Sequence, residues 1–399
     1  MGSNSHEDVG PEEGSSRRSS WKIDSQKKSD QHEGIEEESD WTNQDEDDQD
    51  EDDQDEDDQD EDDQDEGDVR GGPGVGRAIA NFRRRAPESL DETFTIYEAR
   101  EFLEWAVADK VYFSPIDEWE QKLMSALHHI FRRLFDDRLV FPRLPGLYRV
   151  LECGFGTGEW ATAVASTHPY CKVIALDISP YTLARSHPRV SFGYANLNKR
   201  MPFKKKYFDF AHSQMMAGAI NAQRWPSFIG EMYRALRPGG WCQLVELYPN
   251  AQSHNGRLTD GKLAPSPHAG AGSEHALRQW STSYLAGSES TGKDYRVYRR
   301  LSQMLVDSGF VDVEEVMLPL PLCAWRDDEA GRHLGGLVAA AVDGWLESLS
   351  LYPMTAVNGM PMTAWRELVD RAVAEARTPS LKPYFPIFVT IGRRPGGWG

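Results

Sequence analysis

Residues 150–160 read VLECGFGTGEW, an acid followed by glycines at 154, 156 and 158. Glycine at alternate positions lets the backbone turn sharply and lets a ligand lie against it with no Cβ in the way. A dinucleotide turn needs G-x-G-x-x-G, and here the third glycine comes one residue early. The stretch holds no Lys or Arg, and Glu152 and Glu159 would repel a pyrophosphate at a helix N-terminus. The chemistry that suits it is a ligand whose nearby charge is positive. S-adenosylmethionine, with a sulfonium, an ammonium and no phosphate, meets that condition.

Two more polar residues fall where such a ligand needs them. Asp177 closes the next apolar run, KVIALD, and a carboxylate there accepts both ribose hydroxyls. Asn196 ends the run after that, VSFGYAN, and its amide suits an adenine edge. Transfer of a methyl group is an in-line displacement at carbon, so placement and water exclusion supply much of the rate. A base is needed only where the acceptor must lose a proton. His212, at the end of the run FDFAH, is the first candidate, with a structural role as its alternative; Glu246 and Tyr248, at the end of GGWCQLVELYP, are the next pair. His128 and His129 are adjacent on a helix, so at most one faces a pocket. Tyr112, Trp105, Trp280 and Trp345 are available to stack on a planar acceptor or to pack a core.

These residues need elements to hold them. From Tyr148 short apolar runs alternate with helical patterns, which implies βαβ units and a mostly parallel sheet covered on both faces. Ahead of the sheet a helix is expected over about Tyr97 to Ala108. A second is expected with Ser114 as its cap, Pro115 in its first turn, and Leu123, Leu127, Ile130, Phe131 and Leu134 on its apolar face. The pattern puts a helix over WPSFIGEMYRAL that stops at Arg237–Gly239, and others over Glu274–Leu285 and Tyr295–Ser308. FVDVEEVMLPL and YFPIFVTIGRR read as the last two strands. Between them, helices over about Asp328–Leu349 and Met362–Ala376 form an insertion large enough to cover a substrate. A Gly/Pro/Ser/His-rich stretch, Ser253 to Ser273, reads as a loop or lid.

The beginning of the chain has a different composition. From Gln44 the sequence repeats QDEDD four times and then QDEGD, with nothing apolar to bury. Residues 1–68 carry 30 acids against 5 Lys and Arg, leaving 34 acids and 39 bases in the rest, so the net charge of −20 belongs to this tail. We therefore expect 1–86 to be a disordered acidic tail and linker, either a solvated extension with no function of its own or one that mimics nucleic acid towards a basic partner or holds back Arg83–Arg85. Residues 87–399 are then the folded domain: N-terminal helices over 87–146, a cofactor-binding core over 147–322, the helical insertion over 323–383 and a final strand over 384–395. The 4 cysteines lack metal-site or disulfide spacing, so no metal is expected. No signal core and no run of roughly 20 apolar residues is present, so the chain reads as intracellular, cytoplasmic or nuclear, and not bound to membrane.

Taken together, YFSPIDEWEQKLMSALHHIF, the glycine stretch ending in Trp160, VIALDISP, FDFAHSQMM, WPSFIGEMYRALRPGGW, SGFVDVEEV and YFPIFVTIGRRP resemble the fungal LaeA-like S-adenosylmethionine-dependent methyltransferases. The resemblance runs from about residue 97 to 395. It implies a class I, Rossmann-like α/β fold with a seven-stranded, mostly parallel sheet whose last strand is antiparallel. It implies cofactor contacts at Glu152, Gly154, Gly156, Gly158, Asp177 and Ile178. Asn196 stands where family members usually carry Asp, and Phe155 where they carry a small residue; the first change removes a charge beside the adenine. The resemblance leaves three functions open: methylation of a small molecule in secondary metabolism, nuclear regulation of secondary-metabolite genes with velvet-type partners, or methylation of protein. Direct nucleic-acid binding is not expected.

Overall fold

The computed structural model describes residues 93–178, 187–258 and 275–396, all within one unit spanning Gly67–Gly399. The acidic repeats, Arg83–Arg85 and most of the expected lid lie outside the described residues.

The first segment departs from expectation. In place of a helix from Tyr97, β1 (Phe94–Tyr97) and β2 (Arg100–Leu103) form an antiparallel hairpin, and only Glu104–Ala108 is helical (α1). Glu98 and Ala99 both take positive φ, 51° and 59°, a two-residue turn whose twist matches a hairpin. The pairing buries Phe102 completely, which outweighs the helical propensity of the stretch. α2 (Glu118–Leu134) starts three residues later than the Ser-Pro pair suggests. Ile116 N–H donates to Glu101 C=O and keeps the chain extended, so Asp117 becomes the cap, accepting from Glu120 N–H at 2.9 Å.

The central sheet contains β3 (Arg149–Cys153), β4 (Lys172–Asp177), β5 (Val190–Tyr194), β6 (Phe208–Gln214), β7 (Leu236–Leu247), the two-residue β8 (Gln252–Ser253), β9 (Val311–Pro321) and β10 (Pro383–Arg393). Its order is β5-β4-β3-β6-β7-β10, with β9 and β8 paired to β10. β3 to β7 run parallel and β10 runs antiparallel to both neighbours, giving the class I methyltransferase arrangement of seven main strands. Alternation along the parallel strands splits the core. Val150, Val173, Ala175 and Phe210 pack with Trp160 and Val164 of α3 (Glu159–Thr167) on one face. Leu151, Cys153, Ile174, Leu176 and Ala211 face the opposite core, which α2, α4 (Trp225–Ala235) and the later helices complete. α4 ends at Ala235, before Arg237, and the chain passes straight into β7.

α5 (Ala276–Glu289) and α6 (Tyr298–Asp307) lead to β9. The insertion is α7 (Glu329–Ser350), continued by a wider π-type turn over Leu351–Val357, and α8 (Met362–Ala376). Glu329–Val357 is long and apolar enough to cross a membrane by composition, yet half of its apolar window is buried in this fold, including Val338, Val342 and Trp345.

Candidate functional site

A cavity of about 210 Å³ opens at the carboxyl ends of β3 to β7, where open α/β sheets bind ligands. Its first wall is the glycine turn. Gly154, Gly156 and Gly158 take φ of 84°, 53° and 75°, a region where other residues are strained. A Cβ on Gly154 would also meet Met216 Sδ at 2.3 Å. Gly154 N–H donates to Leu176 C=O and Gly156 N–H to Asp177 Oδ2, both at 2.8 Å, so the turn is clamped to the end of β4. Phe155 is absorbed by packing, its ring edge-on to Phe192 at 5.1 Å.

Glu152 lies at the base of this wall, 2% exposed, with Oε2 lacking a hydrogen-bond partner among the described residues. Burial, with the charge of Asp177 nearby, pushes its carboxyl well above the usual range. A cationic ligand group would relieve both costs. Asp177, Ile178 and Asn196 also line the cavity. β5 stops at Tyr194, so Asn196 sits in the loop beyond the strand and not at its end. There its Oδ1 accepts from Asn198 N–H at 2.9 Å.

The catalytic candidates separate. His212 lines the cavity but stacks on Trp160, centroids 3.8 Å apart, with Nδ1 4.0 Å from Glu152 Oε1. Burial pushes it down to about 3, so it stays neutral and is a weak base. Glu246 lines the cavity, but its oxygens accept from Met216 N–H at 3.1 Å and Ala217 N–H at 3.0 Å, so the carboxylate holds the segment after β6. Burial raises it to about 8, against those two bonds. Tyr248 is not part of the cavity: its ring packs on Tyr298 at 4.9 Å and its hydroxyl accepts from Asn250. Placement at a strand end did not reveal that the chain turns away there. Of the paired histidines, His128 lines the cavity and His129 is exposed. Tyr112 and Trp345 line it too, whereas Trp280 is buried against Tyr284 and Phe385, and Trp105 packs beside Ile116.

The second wall contains residues the sequence did not mark as part of a site: Tyr284, Lys293, Tyr295, Ser348 and Glu120, which reads from sequence only as an acid complementing the start of α2. Glu120 is 5% exposed; its Oε2 accepts from Arg100 at 3.1 Å and from Ser348 Oγ at 2.6 Å. One signal was available, since Glu120 continues the apolar stripe of Met124, Leu127 and Phe131, and an acid there must face something other than water. Lys293 is 3% exposed and donates to Ala219 C=O and, at 2.6 Å, to Asn221 Oδ1; burial pulls it down to about 8. Tyr284 and Tyr295 hydrogen-bond to each other through their hydroxyls. Trp345, Ser348, Leu349 and Pro353 bring the insertion over the cavity.

Residues 150–240 match the methyltransferase domain family. The chain is 27% identical over 289 residues to a secondary metabolism regulator, laeA, of Aspergillus fumigatus, covering 71% of this chain and 73% of that one. It is 27% identical over 292 residues to a protein-methionine methyltransferase, laeA, of Emericella nidulans, covering 71% and 73%. It is 26% identical over 287 residues to a methyltransferase, pytC, of Aspergillus terreus, covering 71% and 83%. The chain is an S-adenosylmethionine-dependent methyltransferase of class I fold, related to these secondary-metabolism proteins.

Proposed function

We propose that this chain methylates a small-molecule acceptor in fungal secondary metabolism. The observation that carries the reading is the make-up of the second wall. The insertion and α5 line one side of the cavity with Tyr284, Ser288 and Trp345 beside Tyr112 and Tyr295, an aromatic surface that suits a compact, planar acceptor better than an extended peptide.

In this reading Glu152 faces the ammonium side of S-adenosylmethionine, the turn Gly154–Gly158 lies along it, Asp177 takes the ribose hydroxyls, and Ile178 and Asn196 flank the adenine. The cofactor supplies an activated methyl on a sulfonium. The chain supplies the rest: Glu246 fixes Met216 and Ala217 beside the methyl path, His212 on Trp160 keeps the floor neutral and dry, and the insertion excludes water.

A second reading has the chain regulating secondary-metabolite genes with velvet-type partners, and is favoured by the likeness to the Aspergillus fumigatus regulator. The likeness to a protein-methionine methyltransferase keeps a protein acceptor as a third. Comparative metabolite profiling of a deletion strain separates them. Accumulation of one demethylated compound is expected; broad loss of many unrelated metabolites supports regulation. An unchanged profile, with label from S-adenosylmethionine appearing in protein, supports the third.

A further inference from the structure

Five carboxylates line the cavity, and their geometry divides the work. Glu152, Glu159 and Asp177 stand on the glycine-turn side. Glu159 accepts from Ser125 Oγ at 2.8 Å and Asp177 from Gly156 N–H at 2.8 Å. Glu246 spends both oxygens on backbone amides. Glu120 alone of the five stands on the wall made by α2 and the insertion. Its Oε2 is held by Arg100 and Ser348, and no bond to Oε1 is made among the described residues. Around it the groups belong to four segments: Arg100 on β2, Asp117 at the cap of α2, Ser348 on α7, and Tyr112, whose hydroxyl lies within electrostatic reach of Glu120, Asp177 and Tyr295. Tyr112 thus spans the distance from the ribose carboxylate to the acceptor wall.

We propose that Glu120 is the general base of the methyl transfer, a catalytic residue that takes the acceptor's proton on Oε1 while Arg100 and Ser348 hold Oε2. The inference rests on the small-molecule reading above. As the acceptor oxygen or nitrogen forms its bond to the methyl carbon, its proton passes to Glu120. The carbon–sulfur bond breaks with its electron pair on sulfur, and the sulfonium leaves as a neutral thioether. The acceptor is then a class that must ionise to react, a hydroxyl or an N–H group. Burial pushes the Glu120 carboxyl up to about 7, against the opposing pull of Ser348 and Arg100, which places it where a base works at neutral pH. Two neighbouring cavity groups are worse placed: burial and nearby carboxylates push Tyr112 far up, and the Lys293 ammonium is engaged with Ala219 C=O and Asn221 Oδ1.

The test uses the full chain, methyl-labelled S-adenosylmethionine and the low-molecular-weight extract of a deletion strain as acceptor source. Label transfer by the wild type is expected to rise with pH through about 7. E120Q keeps the size of the side chain and an oxygen for Ser348 and Arg100. It should bind S-adenosylmethionine within about twofold of wild type by calorimetry, and lose at least about 100-fold in transfer. S348A removes a donor to the carboxylate and should move the midpoint of the pH profile upward. A readout independent of turnover is stability. A carboxyl raised in the folded state from 4.5 to about 7 favours folding below 4.5, and that contribution is lost as pH rises towards 7. The melting temperature of the wild type should therefore fall relative to E120Q across this window. Wild-type transfer with E120Q equally active, or an unmoved midpoint in S348A, overturns the base. No label transfer by the wild type overturns the small-molecule reading itself, and the base with it. If E120Q does not fold, the S348A profile decides.

Discussion

The two walls of the cavity draw on very different lengths of chain. The glycine wall comes from residues 152–178, one strand–turn–helix–strand passage whose clamp, from Gly156 N–H to Asp177, spans 21 positions. The opposite wall joins Arg100, Glu120 and Ser348, and the Glu120–Ser348 bond closes 228 residues of separation. One wall is a backbone shape, set by three positive-φ glycines; the other is a side-chain assembly that exists only when the hairpin, α2 and the insertion have docked. A donor common to many enzymes can be held by a local shape, whereas an acceptor peculiar to one enzyme is met by parts free to vary.

If the walls are separable, damage to one should spare the other. The largest effect is expected from Asp177→Ala, which removes the clamp on Gly156 and the proposed ribose contact. Calorimetry should show S-adenosylmethionine affinity falling about 100-fold, roughly 3 kcal/mol, with little change in melting temperature. Next is Gly335→Ala in α7, whose Cβ would stand 2.2 Å from Cys323 C=O. Backbone cannot yield there, so denaturant unfolding should show a loss of about 2 kcal/mol while the folded protein still binds the cofactor. A comparable loss of cofactor affinity would break the separation. Glu246→Gln replaces one acceptor of two backbone amides with a donor, and should cost about 1–2 kcal/mol in the same unfolding measurement. Because Met216 packs against the glycine turn, this variant is expected to disturb both walls and marks where they join. Asp117→Ala removes the α2 cap and an Arg100 partner, and should lower stability by about 1 kcal/mol with cofactor affinity unchanged.

Legibility in the sequence followed the same division. Glu152, Asp177 and the three glycines were found because a strand, a turn and a helix N-terminus each announce themselves within a few residues; Glu152, Gly154, Gly156 and Asp177 do line the cavity, whereas Gly158 is buried at the N-cap of α3 and does not. Helix placement was good for the insertion, where Met362–Ala376 falls on the expected bounds. It failed at Tyr97, where a left-handed turn at Glu98 and Ala99 has no glycine or asparagine to advertise it. Tyr248 was chosen by analogy of position, and the chain turns it onto Tyr298 instead. Lys293 sits in STGKDYR, a stretch that reads as ordinary solvated linker until Asn221 and Ala219 are brought against it.

By itself the sequence determined the alternation of strands and helices, the glycine turn and the sign of the charge that turn welcomes, because these depend on dihedral freedom and on residues close along the chain. Only the tertiary structure decided that His212 is stacked and neutral, that Glu246 is a backbone anchor, and that Glu120 stands buried between Arg100 and Ser348. The physical reason is that desolvation and hydrogen-bond partners set what a titratable group can do, and both are supplied by other segments, from 20 to 228 positions away along the chain.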